Sequence, residues 1–354
     1  MSDKSTLSFT LRVLIAIAAA GLVLTFMQTA AGIINALFLA WIIVLVASPL
    51  LHWLVRKRVP VWLSFVLTLL AILAAFVAFS LVLVVAVDRF AEAIPAIANE
   101  FENLVAAVQE ALSSLGVISA ESESVLSFLN PENVLNAIGG FLTGLVGTVS
   151  NLVLVVMLLI FLLIDAFNAP AKLAEEIKAG NAYLQRYFHV SESLRRYIFI
   201  TTIVGLATGI LDTIWFILLG VSFPLLWGIL AFLMSYIPTL GFWLAAIPPT
   251  LLALLEFGPG TAVLTFLGVV LINGFAENVV KPKYMGEGLN LSPFMIIFSV
   301  IFWAAVLGPL GAILGVPMTL LFKELVLEAD DQNRWIARLM SSKDSEEETP
   351  AETS

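Results

Sequence analysis

The sequence predicts an all-α polytopic membrane protein, with about six full transmembrane helices and two Pro/Gly-broken helical hairpins that form an inverted-repeat-like pair. Three observations predict it. Of 354 residues, 60% are hydrophobic and only 12% are charged, whereas soluble domains carry about 25% charged residues. Apolar runs long enough to cross a hydrocarbon core about 30 Å thick, which takes about 20 helical residues, recur along the chain. Two of the longest runs are interrupted midway by proline and glycine.

The composition also excludes several kinds of chemistry. There is no cysteine, so disulfides, thiolate metal sites and cysteine nucleophiles are ruled out. His52 and His189 are the only histidines and lie far apart in sequence. No HExxH, GxSxG or GxxxxGK[ST] motif occurs, so no metalloprotease, serine-hydrolase or nucleotide-driven motor is expected, and the chain is not read as an enzyme. No basic aromatic surface points to nucleic acid. The net charge of -9 owes much to Glu346, Glu347, Glu348 and Glu352, in a short polar tail expected to be disordered.

The elements follow in order. Lys4 and Arg12 precede a run too long for a cleavable leader, so residues 9–27 are expected to be a retained span. Further spans are expected at 31–51, 61–87, 142–164, 198–219 and 261–280. Cytoplasmic loops are enriched in Lys and Arg. Arg56, Lys57 and Arg58, then Lys172, Lys178, Arg186, Arg195 and Arg196, then Lys281 and Lys283, all fall on one side if both termini are cytoplasmic. Between Phe90 and Ala171 there is no Lys or Arg, and seven glutamates from Glu92 to Glu132 mark the outer segment. There Phe90, Ile94, Ile97, Phe101, Leu104 and Val105 recur at helical spacing. An amphipathic outer helix is expected, then the turn 119–124, then a short helix near 131–138. Packing against the membrane part is preferred to ligand binding, because no polar cluster converges there. Residues 169–196 read as an interfacial amphipathic helix or a plain linker. Asp88, Arg89 and Asp165 sit at span ends, as interfacial anchors do.

The broken runs are 224–255 and 293–322. The first has 32 residues. As one helix it would be about 48 Å long, too long for one crossing. It is broken at Ile237-Pro238-Thr239-Leu240-Gly241, where proline removes a helical hydrogen bond and glycine permits reversal. Its legs of about 14 residues would each reach about 21 Å, which is short for a crossing. The second is broken at Gly308-Pro309-Leu310-Gly311, and Pro248-Pro249-Thr250-Leu251-Leu252 is echoed by Pro317-Met318-Thr319-Leu320-Leu321. With one span between them, the two hairpins enter from opposite sides, and only an even number of crossings in the first keeps Lys281 and Lys283 cytoplasmic. That is the plan of secondary transporters, whose discontinuous helix ends meet solute and ions near the midplane.

Ionisable groups inside a bilayer are costly and are by default functional candidates. Asp212, followed by Thr213, lies well inside the fifth span. Glu277, flanked by Asn273 and Asn278, lies near the end of the sixth. Each carboxylate could carry a proton or a cation; Glu277 could instead pair with Lys281 one turn on. The candidate pathway is Asp212, Thr213, Pro238, Thr239, Gly241, Asn273, Glu277, Asn278, Gly308, Pro309 and Gly311, with no metal ligands and no catalytic group. The organisation read from these features is 1–87 for three spans and 88–140 for the outer acidic segment. Residues 141–197 form the fourth span and linker, 198–325 a transport core, and 326–354 a cytoplasmic tail.

The chain carries Gly220-Val221-x-x-Pro224, Tyr236-Ile237-Pro238-x-x-Gly241, Glu277-Asn278-Val279-Val280-Lys281-Pro282-Lys283-Tyr284-Met285-Gly286, Leu291-x-Pro293 and Gly308-Pro309-Leu310-Gly311-x-x-x-x-Val316-Pro317. In these it resembles the autoinducer-2 exporter (AI-2E) family of bacterial and archaeal membrane proteins, over about 220–322. It departs at Lys283, where many relatives have Arg, and at Tyr284, where an aliphatic residue is usual. The resemblance implies a homo-oligomer in the cytoplasmic (inner) membrane, with a pentamer as the expected assembly. It also implies elevator-like movement of the hairpin core, and either export of autoinducer-2 or sodium/proton antiport. The expected function is secondary export of a small polar solute, coupled to Na+ or H+. The alternatives are a sodium/proton antiporter and a non-transporting envelope scaffold.

Overall fold

A computed structural model describes residues 9–114, 131–149, 152–172, 182–238, 240–285, 291–327 and 339–341. The turn 119–124, the middle of the linker at 173–181, Thr239 and most of the tail lie outside the described residues. Every regular element among the described residues is helical. They are α1 (Phe9–Thr29), α2 (Ala31–Arg56), α3 (Val61–Ser114), α4 (Pro131–Val149), α5 (Leu152–Lys172) and α6 (Ala182–Leu219). Hairpin 1 follows as α7 (Pro224–Met234) and α8 (Leu240–Phe257). Then come α9 (Pro259–Phe275), a π-helical turn (Ala276–Val280) and α10 (Lys281–Met285). Hairpin 2 is α11 (Pro293–Leu307) and α12 (Pro309–Phe322), extended by a second π turn, Lys323–Leu327.

Five described helices are long and apolar enough to cross a membrane: Ala31–Arg56, Val61–Ala107, Ser191–Leu219, Leu240–Phe257 and Pro259–Tyr284. Large apolar side chains such as Phe26, Leu218, Leu271 and Phe294 stand exposed around the molecule, as lipid-facing positions do. The chain is an all-α polytopic membrane protein.

Several boundaries differ from the sequence-based expectation. The span expected over 142–164 is divided between α4 and α5. Gly139, Gly140, Gly144 and Gly147 give α4 a small-residue, weakly hydropathic composition that periodicity alone runs together with the apolar stretch after it. The third span and the amphipathic outer segment form one continuous helix, α3, with Pro95 inside it. Its outer half packs inward through Phe90, Ile97 and Phe101. Phe90 meets Phe223 and Trp227 edge-on, at 5.7 and 5.3 Å between ring centroids. The hairpin legs are unequal. α7 has 11 residues but α8 has 18, long enough to cross, because α7 already ends at Met234 while α8 runs on to Phe257 with Pro248 and Pro249 inside it.

Local chemistry sets the helix ends. Gly220, at φ 77°, closes α6: its N–H bonds Ile217 and the Val221 N–H bonds Phe216, the Schellman pattern. Five of the described helices begin on proline, at Pro131, Pro224, Pro259, Pro293 and Pro309, where the fixed φ suits a first turn and no N–H is lost. Gly308, at φ 76°, reverses the chain directly before Pro309. α6 and α7 cross closely. A Cβ on Gly228 would sit 2.5 Å from the Gly209 carbonyl oxygen, so the crossing needs small residues. The main core joins α3, α4, α6 and both hairpins through Phe216, Trp227, Met234, Ile237 and Leu314. A smaller cluster ties α2 to α3 and α5 through Ala40, Val44, Phe76, Val155 and Leu159.

Candidate functional site

The polar groups of the sixth span converge on the tip of hairpin 1. Asn273, buried on α9, donates from Nδ2 to Asp212 Oδ2 at 3.0 Å and to the Val269 carbonyl at 3.0 Å. Both partners are acceptors, so the orientation of the amide is fixed. Asp212 is fully buried on α6. Its Oδ1 has no hydrogen-bond partner among the described residues.

After α9 the helix widens. The Lys281 N–H bonds the Ala276 carbonyl, five residues back, which defines the π turn. Such turns add one residue to a helical turn and are frequent at functional sites. Here the turn carries Glu277 and Asn278. Asn278 donates to the Gly274 carbonyl at 2.8 Å. The pairing of Glu277 with Lys281 is present in the structure. Lys281 does more than pair, however. It is buried, and its Nζ also donates to the Ser235 carbonyl at 2.9 Å. Ser235 is the C-cap of the first leg of hairpin 1, so a cation caps the carbonyl end of α7. From α6, the Tyr197 hydroxyl reaches the Tyr236 carbonyl at 3.3 Å, and Thr202 and Tyr236 share a hydroxyl bond of 2.6 Å.

Between the tip and the π turn lies an open cleft of about 460 Å³. Ser235, Pro238 and Gly241 line it from the hairpin tip, Phe242 and Trp243 from α8, and Asn273, Glu277 and Asn278 from the far wall. Five of the candidate pathway residues therefore share one cleft, with Asp212 directly behind Asn273. Thr213 does not line it; its hydroxyl bonds the Gly209 carbonyl at 2.7 Å, and the residue packs at the α6–α7 crossing. Thr239 lies outside the described residues. Gly308, Pro309 and Gly311 form the tip of hairpin 2, which does not line this cleft.

The tip of hairpin 2 is held in a parallel way by different helices. Asn35 of α2 donates to the Leu307 carbonyl at 2.9 Å, and Gln28 of α1 to the Ala305 carbonyl at 3.2 Å. Trp303 and Thr319 bond across the two legs at 2.9 Å. Asn35→Leu strands the Leu307 carbonyl, at a cost of about 1–3 kcal/mol for an unsatisfied buried group. Asn35 Oδ1 is itself buried without a partner among the described residues, and its removal is a gain, so the loss falls in the lower half of that range. A lower melting temperature in detergent is the expected reading, and an unchanged one removes the capping role.

Sequence reasoning missed Asn35, Ser235 and the second bond of Lys281. A lone asparagine inside the apolar run of α2 is a signal that could have been read. The carbonyl contacts of Lys281 and Asn35 join residues 46 and 272 positions apart, which no local pattern reveals.

The broken hairpins and the polar cleft set among long apolar helices define a polytopic membrane protein of transporter type. The family described as AI-2E family transporter matches residues 11–330, and the chain belongs to that family. It is 30% identical to the AI-2 transport protein TqsA of Escherichia coli (strain K12) over 339 residues, covering 95% of this chain and 97% of TqsA. YhhT of the same organism is 27% identical over 87% of this chain and 88% of its own length. YueF of Bacillus subtilis (strain 168) is 27% identical over 59% of this chain and 58% of its own.

Proposed function

We propose that the chain is a secondary transporter that exports a small polar solute, with autoinducer-2 or a related metabolite as the first candidate, through the cleft beneath hairpin 1. One observation carries the reading. A discontinuous helix end, a π turn with two polar side chains and a buried carboxylate are gathered around a single cleft. This is the constellation from which secondary transporters build solute and ion sites. The name of TqsA makes autoinducer-2 the first solute to test. Residues 198–325 act as the transport core, and the two hairpins alternate access. The tip of hairpin 2, with Gly308, Pro309 and Gly311, serves as the second gate. The protein works as a homo-oligomer, with a pentamer as the expected assembly, in the inner membrane with both termini cytoplasmic.

Asp212 handles the coupling ion, Na+ or H+. Its Oδ1, unpartnered among the described residues, also supports the second reading, a sodium/proton antiporter, because a buried carboxylate with spare acceptor capacity suits either ion. Uptake into proteoliposomes, with labelled autoinducer-2 and imposed sodium or pH gradients, tests both. Asp212→Asn is expected to abolish the response to the gradient while downhill solute movement persists. An intact gradient response removes the role given to Asp212.

A further inference from the structure

Among the described residues, the cleft beneath hairpin 1 leans towards hydrogen-bond acceptors. Each polar nitrogen on its far wall already makes at least one bond. Asn273 Nδ2 serves Asp212 and Val269, and Asn278 Nδ2 serves Gly274. Lys281 Nζ, behind the wall, serves Ser235 and Glu277. At the tip, the Ser235 hydroxyl donates to the Ala231 carbonyl at 2.9 Å. Apart from one N–H of Asn278 and the indole N–H of Trp243, the side-chain groups left over are acceptors: Oδ1 of Asn273, Oδ1 of Asn278 and the second carboxylate oxygen of Glu277, none of which is hydrogen-bonded among the described residues. The side chain of Glu277 is 38% exposed, while that of Lys281 is 8% exposed, so the carboxylate faces the opening and the ammonium does not.

The opposite wall is aromatic. Phe242 and Trp243 line it, and Trp243 is half exposed, with one face stacked on Phe266 at 6.3 Å. Indole faces attract cations more strongly than other rings do. Formal charge points the same way: Glu277 and the buried Asp212 against one ammonium that is already paired. A volume of about 460 Å³ lies within the range of organic ligand sites, about 300–1,000 Å³, and far exceeds a bare ion.

We propose that this cleft takes small organic ammonium ions, held by the Asn273, Glu277 and Asn278 oxygens against the Trp243 ring, and rejects carboxylates and phosphates. The proposal rests on the transport reading of the cleft and puts organic ammonium ions ahead of autoinducer-2, which carries no ammonium group, as its solute. Calorimetric titration of the full chain in lipid nanodiscs, with putrescine, ribose and succinate as probes, tests it. Putrescine is expected to bind and succinate is not. Glu277→Gln and Trp243→Leu are each expected to weaken putrescine at least tenfold, and a thermal melt of each variant checks folding. Asn278→Leu, which leaves the Lys281 pair intact, provides an independent loss if Glu277→Gln unfolds.

Succinate binding as tightly as putrescine overturns the proposal. So does ribose binding without putrescine, although a neutral solute in the cleft leaves the transport reading standing. Binding of none of the three also overturns it, and labelled autoinducer-2 uptake then decides the transport reading separately.

Discussion

Replacing Gly241 with alanine is expected to cut transport at least tenfold and to lower the melting temperature of the purified protein. A Cβ at this position would lie 1.9 Å from the Met234 carbonyl oxygen. No real contact is that short, and the obstacle is backbone, which cannot rotate away. Met234 ends the first leg and Gly241 lies in the first turn of the second, so the added methyl forces the tip of hairpin 1 apart. Overpacking of this kind costs about 1–3 kcal/mol and occasionally more. The same relation recurs in hairpin 2, where a Cβ on Gly311 would lie 2.0 Å from the Trp303 carbonyl oxygen. Gly311→Ala should therefore behave alike, and the pair tests whether both tips matter. Gly260→Ala is the control, because nothing lies within 4 Å of a Cβ there. An envelope scaffold with no working hairpin would keep its function in both variants. Normal transport by Gly241→Ala would remove the hairpin from the mechanism.

Lys281→Met is expected to be the second severe change. It strands the Ser235 carbonyl at the end of α7 and leaves Glu277 without its cation. Breaking a buried pair costs about 3–5 kcal/mol. The exposed side of Glu277 lets solvent compensate in part, so a loss of about 2–3 kcal/mol is expected. The double variant Lys281→Met with Glu277→Gln should recover part of the loss, since no unpaired charge remains. Chemical denaturation of the four species of this cycle in detergent measures the coupling. Additive losses would show that the ion pair contributes nothing beyond the carbonyl bond.

Much of this was legible in the sequence because the bilayer enforces simple rules. Length and hydropathy place α2, α9 and the apolar second half of α6 near their observed positions, though α6 begins at Ala182 inside the expected linker, and Pro238 and Gly308 mark both hairpin breaks. Glycine and proline identify such breaks because their effect on the backbone is local. The division between α4 and α5 was not legible, since both sides of it are apolar and hydropathy carries no sign of a helix end. The unequal legs of hairpin 1 were hidden for a related reason. No residue marks Met234 as the end of the first leg, because the run continues without proline or glycine to Ile237. Within the candidate site, Asp212 and Glu277 stood out because charge in an apolar run is rare. The grouping of Asn273, Glu277 and Asn278 with Pro238 and Gly241 depends on the packing of hairpin 1 against α9. That contact spans more than thirty residues, and helical periodicity does not encode it.

The proline starts of α7, α9, α11 and α12 have a consequence for how the core enters the bilayer. A helix beginning in hydrocarbon normally brings free N–H groups with it, and each costs several kcal/mol without a partner. Starting on proline deletes one of those donors from the covalent structure. Carbonyl ends have no equivalent deletion, because every residue keeps its C=O. The hairpins are therefore chemically polarised. Their starting ends are partly silenced by residue choice, while their finishing ends must borrow a donor from a distant helix. Insertion of each first leg can precede assembly of the core, but its finishing end becomes comfortable at depth only once Lys281 or Asn35 has arrived.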